Sequence, residues 1–114
     1  MDTDDYTRVR IAENQATFRD ANERIEAAAR ELEIGGEVPF ICECADAGCT
    51  EIVQLGLSVY AEVRRHERRF FTVPGHQRLS VESGAGTVVG EGRGYVLVDK
   101  VGIAGDVAAG RDPE

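Results

Sequence analysis

Ile11, Phe18, Ile25 and Leu32 recur at every seventh position, and Ala21 and Ala28 follow three residues after Phe18 and Ile25. Polar side chains dominate the intervening positions, and no Gly or Pro interrupts the run from Tyr6 to Glu33. Ala, Glu and Arg prevail there, residues that lose little freedom in a helix. The pattern predicts one long amphipathic helix over 6–33. Thr3 or Asp5 can cap its start, Asp2, Asp4 and Asp5 suit the positive end of its dipole, and Gly35-Gly36 supplies the stop. Asp20–Arg24 and Glu26–Arg30, each acid-then-base at four-residue spacing, add a few tenths of a kcal/mol, roughly, per pair.

A seven-residue stripe is narrower than the face a helix usually lays on a sheet, and it is the spacing of a coiled-coil seam. One reading packs the stripe on the protein's own small domain. The other makes Ile11, Phe18, Ile25 and Leu32 a binding surface for a protein partner or for a second copy in a homodimer. At ~1.5 Å per residue the helix is ~40 Å long, longer than a compact remainder needs. The alanines permit close helix approach but bury little area.

After the double glycine the period drops to two. In "EVPFICEC", Val38, Phe40, Cys42 and Cys44 share one strand face, while Ile41 and Glu43 point the other way. "ADAG" reads as a turn and "CTEIVQL" as the returning strand, making a hairpin with cysteines on both arms. "LSVYAEVRRHER" is a short helix burying Leu57, Tyr60 and Val63. "RFFTVPGH" is a strand of about four residues ended by Pro74-Gly75. The glycine-rich remainder reads as a loop, a short strand around Thr87–Val89, a turn and a strand Tyr95–Asp99. The expected class is α+β: a long N-terminal helix, a short second helix and a small, mainly antiparallel sheet. The chain is read as a single domain, 1–114, with a metal-stabilised core over 37–100 and a tail, frayed or weakly helical, over 101–114.

Composition narrows the function classes. Hydrophobic residues make up 42% and charged residues 30%, ordinary for a soluble domain. No apolar run approaches the ~20 residues of a membrane span, and the acidic start lacks the apolar stretch of a secretory signal, so a cytoplasmic protein is expected. The net charge of −8 disfavours nucleic acid, whose phosphates need a basic surface. Within that acidic chain, Arg64, Arg65, Arg68 and Arg69 cluster around His66. They form either a weak anion-binding patch or a solvated helix face with Phe70 and Phe71 in the core, and the acidic remainder favours the second.

All three cysteines fall within "CECADAGC". Clustered thiols in a reducing compartment more often bind metal or do redox work than form structural disulfides. Cys42 and Cys44, two apart on a strand, point the same way, and the turn returns Cys49 towards them. Tetrahedral zinc takes four donors. Of the two histidines, His66 stands among arginines that would repel a cation, and His76 follows a Pro-Gly turn at a strand end. The expected site is therefore one zinc ion on Cys42, Cys44, Cys49 and His76. Plain buried thiols, a redox switch pairing Cys42 or Cys44 with Cys49, an iron–sulfur cluster of mixed ligation and an open catalytic zinc are the other readings. "GAGTVVGEGRG" lacks the order of a phosphate-cradling loop and is hairpin-turn chemistry.

The segments "IAENQATFRDANERI", "PFICECADAGC", "LSVYAEVR", "RFFTVPGH", "GYVLVDKVGIAGDVA" and the final "DPE" resemble a family of small uncharacterised actinobacterial proteins. The resemblance spans nearly the whole chain, with the cysteines and "PGH" its most specific part. It implies that Cys42, Cys44, Cys49 and His76 act as a set, and it implies no activity. The chain departs from the family pattern around residues 83–92 and lacks a proline before "RRF". The expected function is a non-enzymatic, zinc-stabilised interaction or regulatory module. A thiol-based redox or metal sensor is the alternative, and an enzyme with an open zinc site comes third.

Overall fold

In the computed structural model, which describes residues 3–46 and 48–102, a long helix lies across two small antiparallel sheets. Helix α1 spans Thr3–Glu31, β1 Glu37–Ile41, β2 Ile52–Gly56 and α2 Leu57–Arg64. Strand β3 spans Arg69–Thr72, α3 Arg78–Glu82, β4 Gly86–Gly92 and β5 Tyr95–Lys100. The class is α+β, as expected. The expected tail, from residue 103 on, and Asp2 lie outside the described residues.

Two features differ from expectation. The strands form not one sheet but a β1–β2 hairpin and a three-stranded sheet ordered β3-β5-β4. Helix α3 has no counterpart among the expected elements, because five residues are too few to show a helical period. The end of α1 also differs in detail. Ile34 N–H donates to Ala29 O at 3.0 Å and Glu33 N–H to Arg30 O at 3.1 Å, closing a Schellman turn on Glu33 in the left-handed region at φ 54°. The stop thus falls on a glutamate, and Gly36, at φ 80°, serves the turn into β1.

The main core lies between the hairpin, α2 and β3. Phe40 and Tyr60 stack with centroids 4.3 Å apart, and Phe71 meets both edge-on at 6.1 Å. Val38, Val53, Leu55, Val63 and Ala29 close around them. Such aromatic pairs contribute about 0.5–1.5 kcal/mol each beyond the area they bury. In the second sheet, Phe71 opposes Leu97 and Phe70 opposes Val98. Val89 is the bulged residue of β4, between the pairs Val88–Val98 and Gly90–Leu97.

The heptad stripe of α1 is divided. Ile11 is buried beside Ala45 and Ala85, Ile25 packs against the main core, Phe18 is half-buried and Leu32 is 71% exposed. Between these residues runs a second stripe that hydropathy does not reveal: Gln15, Arg19 and Asn22, all buried. Asn22 Nδ2 donates to Ile41 O, and Ile41 N–H donates back to Asn22 Oδ1, both at 2.8 Å. Gln15 Nε2 donates to Glu43 O at 2.9 Å, and Arg19 Nη1 to Glu67 O at 2.7 Å. Beside its apolar contacts, the helix therefore docks by supplying partners to main-chain groups left over where β1 ends and just ahead of β3.

A second polar cluster joins α1, α3 and β5. Lys100 is 1% exposed; its Nζ donates to Ser80 Oγ at 3.2 Å and lies 5.1 Å from the Phe70 centroid. Gln15 Nε2 approaches the same hydroxyl at 3.3 Å. Burial pushes the Lys100 ammonium down to about 7, against the opposing pull of the Glu43, Cys44 and Asp99 charges. The sign follows from linkage: between about pH 7 and about pH 10 the unfolded chain binds the extra proton, so this residue makes stability rise with pH across that window. Lys100→Met is expected to gain stability relative to the parent below about pH 7 and to lose that advantage towards about pH 10. Paired urea titrations at the two extremes check this, and a pH-independent difference between the two chains refutes it.

Candidate metal centre

Cys42 follows directly on β1, and its N–H still donates to Glu51 O at 2.9 Å, one step beyond the β1–β2 pairing. The chain then leaves the hairpin and runs beside β3. Glu43 N–H donates to Phe71 O at 2.9 Å, and Val73 N–H donates to Cys42 Sγ at 3.2 Å. Cys44 is thereby held on the same side as Cys42. Asp46 shapes the return: its carboxylate accepts from Gly48 N–H at 2.9 Å and its carbonyl from Cys49 N–H at 3.0 Å. His76 arrives from the other sheet. His76 N–H donates to Val73 O at 2.9 Å with Pro74 and Gly75 between and Gly75 at φ 99°, the signature of a type II turn.

The four donor atoms of Cys42, Cys44, Cys49 and His76 all lie within 4.8 Å of one another. Cys42 Sγ and Cys49 Sγ each stand 3.6 Å from His76 Nδ1. A tetrahedral ion with bonds of ~2.3 Å to sulfur and ~2.0–2.1 Å to nitrogen spaces those donors ~3.6 Å apart and its sulfurs ~3.8 Å apart. The edges from His76 to Cys42 and Cys49 thus already have the length of a bound site, and a contraction of about 1 Å closes the remaining ones. Cys42 and Cys44 are buried, while Cys49 and His76 are half-buried.

Without a cation the cluster holds a proton imbalance. The Cys42 thiol donates to Cys44, which raises Cys42 above the ordinary thiol range, with burial and the other sulfurs adding to the rise. The same hydrogen bond lowers Cys44 to about 5, and burial raises Cys49. One thiolate is therefore favoured and a second and third are opposed. A divalent ion removes that conflict by replacing the protons, so binding must strengthen with pH.

Glu43, between the two buried cysteines, is fully buried and forms the other half of the site's design. Its side chain does leave the cysteine face, as expected, yet it faces protein rather than solvent. Oε1 accepts from Arg64 Nη2 at 2.7 Å and lies 3.4 Å from Phe71 N; Oε2 accepts from Asn22 Nδ2 at 2.9 Å. Arg64 is seated over the rings of Tyr60 at 5.1 Å, Phe70 at 5.9 Å and Phe71 at 6.0 Å. Its Nε and Nη1 have no hydrogen-bond acceptor, and the ring faces are what they meet. Burial opposes the Arg64 charge, and Glu43 outweighs it, leaving the guanidinium above its ordinary pKa.

The structure sends the four arginines of the basic stretch to different places. Arg64 turns inward to Glu43, Arg69 pairs with Asp99 at 2.8 Å, Arg65 pairs with Glu62 at 3.2 Å, and Arg68 is exposed. Arg64 and Arg65 do border an open cleft of about 530 Å³ with Arg19, but Glu23, Glu26 and Glu67 line it too, so it carries no net attraction for anions. His66, 3.9 Å from Glu62, stands apart from the cysteines.

The sequence gives Glu43 only a direction, away from the cysteines, and gives Asn22 and Gln15 no role. Gln15, Arg19 and Asn22 fall four and three residues apart, which places them on one helical face, and that spacing was the available signal. Family models, curated proteins and solved structures were compared with the chain, and none matches. No described helix is long and apolar enough to cross a membrane.

Proposed function

We propose that Cys42, Cys44, Cys49 and His76 hold one zinc ion as a structural cross-link, and that the protein is a non-enzymatic, cytoplasmic interaction or regulatory module built around it. The observation carrying this reading is the pair of 3.6 Å separations between His76 Nδ1 and the thiols of Cys42 and Cys49. They match the donor edges of a Cys3His tetrahedron with no ligand position left for substrate or water. Zinc suits a set of three soft thiolates and one imidazole. The ion joins residues 42–49 of the hairpin to residue 76 of the second sheet, two units that share no strand pairing. The resemblance to the small actinobacterial proteins supports the same four ligands and adds no activity.

The surface offered to a protein partner is the outer side of α1 and its C-terminal end, where Leu32 and Ile34, just beyond the helix, are 71% and 42% exposed. Nucleic acid is disfavoured by the net charge of −8 and by the internal pairing of Arg64 and Arg69. The thiol-based sensor remains the second reading, favoured by the half-exposed Cys49, which an oxidant can reach.

Protein purified without chelator is expected to carry one zinc per chain by elemental analysis, with an X-ray absorption spectrum of three sulfur donors and one nitrogen. Absence of any transition metal sinks the proposal. Stoichiometric zinc that is expelled by mild peroxide, with formation of a disulfide to Cys49, moves the assignment to the sensor.

A further inference from the structure

Around the candidate metal centre the protein is not equally closed. Cys42 is 0% exposed, and its sulfur accepts the Val73 N–H. Cys44 and His76, by contrast, border a pocket of about 270 Å³ completed by Asp46, Gly75, Arg78 and Leu79. Two of the four ligands therefore form the floor of a cavity that opens to solvent.

The chemistry of the rim selects what can enter. Arg78 is exposed, and no hydrogen bond or ion pair occupies its guanidinium among the described residues. Asp46 also lines the pocket, its carboxylate accepting from Gly48 N–H at 2.9 Å and keeping its charge, so the positive end of the site is local to Arg78; Leu79, 49% exposed, adds an apolar wall. A small molecule with a negative group for Arg78, a short apolar body and a soft donor atom fits these three features. An anionic thiol has all of them.

We propose that this pocket is a binding site for a small anionic thiol, steered by Arg78, and that it is the route by which the bound metal leaves the protein. The inference rests on the zinc reading above. In the exchange the incoming thiolate would donate its electron pair to the metal while His76 Nδ1 withdraws its own pair and takes the thiol's proton. An acceptor chelator would then displace the three cysteine sulfurs, which take up protons from water as the ion departs. No electrons change hands, so no oxidant is required. His76 is the ligand that yields because it lines the pocket and is half-buried, whereas Cys42 is enclosed and hydrogen-bonded. The site is thus a store that an intracellular thiol can unload, beyond a fixed staple.

The test follows zinc transfer from the loaded full-length protein to a colorimetric chelator, with mercaptosuccinate as the anionic probe and cysteamine as the cationic one. Zinc content is measured first, so a chain that carries none refutes the metal reading, and this inference with it, before any rate is taken. For a loaded chain, the rate is expected to rise in proportion to mercaptosuccinate and to exceed the cysteamine rate by roughly tenfold, as charge steering at a concave site does. Arg78→Glu should abolish or reverse that preference and Arg78→Lys should keep most of it. Because the ratio of the two thiols is read within each variant, altered stability cancels. A rate independent of thiol concentration, or a preference untouched by Arg78→Glu, overturns the proposal while leaving structural zinc intact.

Discussion

Cys42→Ser, or chelation of the parent protein, is expected to remove several kcal/mol of stability and to lower the melting temperature by about 15 °C or more. Structural zinc binding contributes roughly 10 kcal/mol or more in small domains, as large as the whole stability of a typical one. The effect should be greatest at Cys42, which is fully enclosed and held by Val73 N–H, and smaller at the half-buried Cys49. Thermal denaturation followed by circular dichroism, with and without chelator, reads both. Chelator should add nothing to Cys42→Ser, since the two treatments remove the same cross-link. A parent protein indifferent to chelator, alongside a destabilised Cys42→Ser, would reduce the cluster to ordinary core packing.

Much of this site was legible. The alternation in "VPFICEC" locates two thiols on one face, the turn after them returns the third, and the Pro-Gly pair positions the imidazole. What hid was the far partner surface of Glu43. Strand periodicity states which way Glu43 leaves the chain, but only tertiary packing decides whether protein or water waits there. The same limit applies to α1. Its heptad stripe is real in the sequence, yet the fold uses Ile11 and Ile25 for itself and leaves Leu32 outside. Gln15, Arg19 and Asn22 read as solvated because hydropathy carries no knowledge of unpaired carbonyls across the interface. One sheet became two because residues 42–44 leave β1 to run beside β3 through isolated hydrogen bonds, a long-range contact with no local signal.

Arg64→Met should destabilise the protein by about 3–5 kcal/mol, because it leaves the Glu43 carboxylate buried without its counter-charge. Asn22 Nδ2 is then the main remaining donor to that carboxylate, with the long contact from Phe71 N. Glu43→Gln should cost less than Arg64→Met but still destabilise, since an amide presents donors to groups that are themselves donors. The double variant is the decisive measurement. Removing both charges should cost clearly less than the sum of the single changes, with about 2 kcal/mol or more of interaction between them in urea titrations. Strict additivity would mean that the 2.7 Å contact contributes nothing specific.

The polar stripe of α1 has a consequence for selectivity of position. An oily helix face adheres to a sheet at several offsets, since methyl groups are poorly informed about which neighbour they touch. Asn22 meets both the N–H and the C=O of Ile41, and Gln15 meets Glu43 O two residues along. A slip of one turn, ~5.4 Å, would strand each of those groups without a partner. The helix is therefore addressed to a single berth, and any protein that reads its outer face reads a surface held at a fixed place relative to the cluster of Cys42, Cys44, Cys49 and His76.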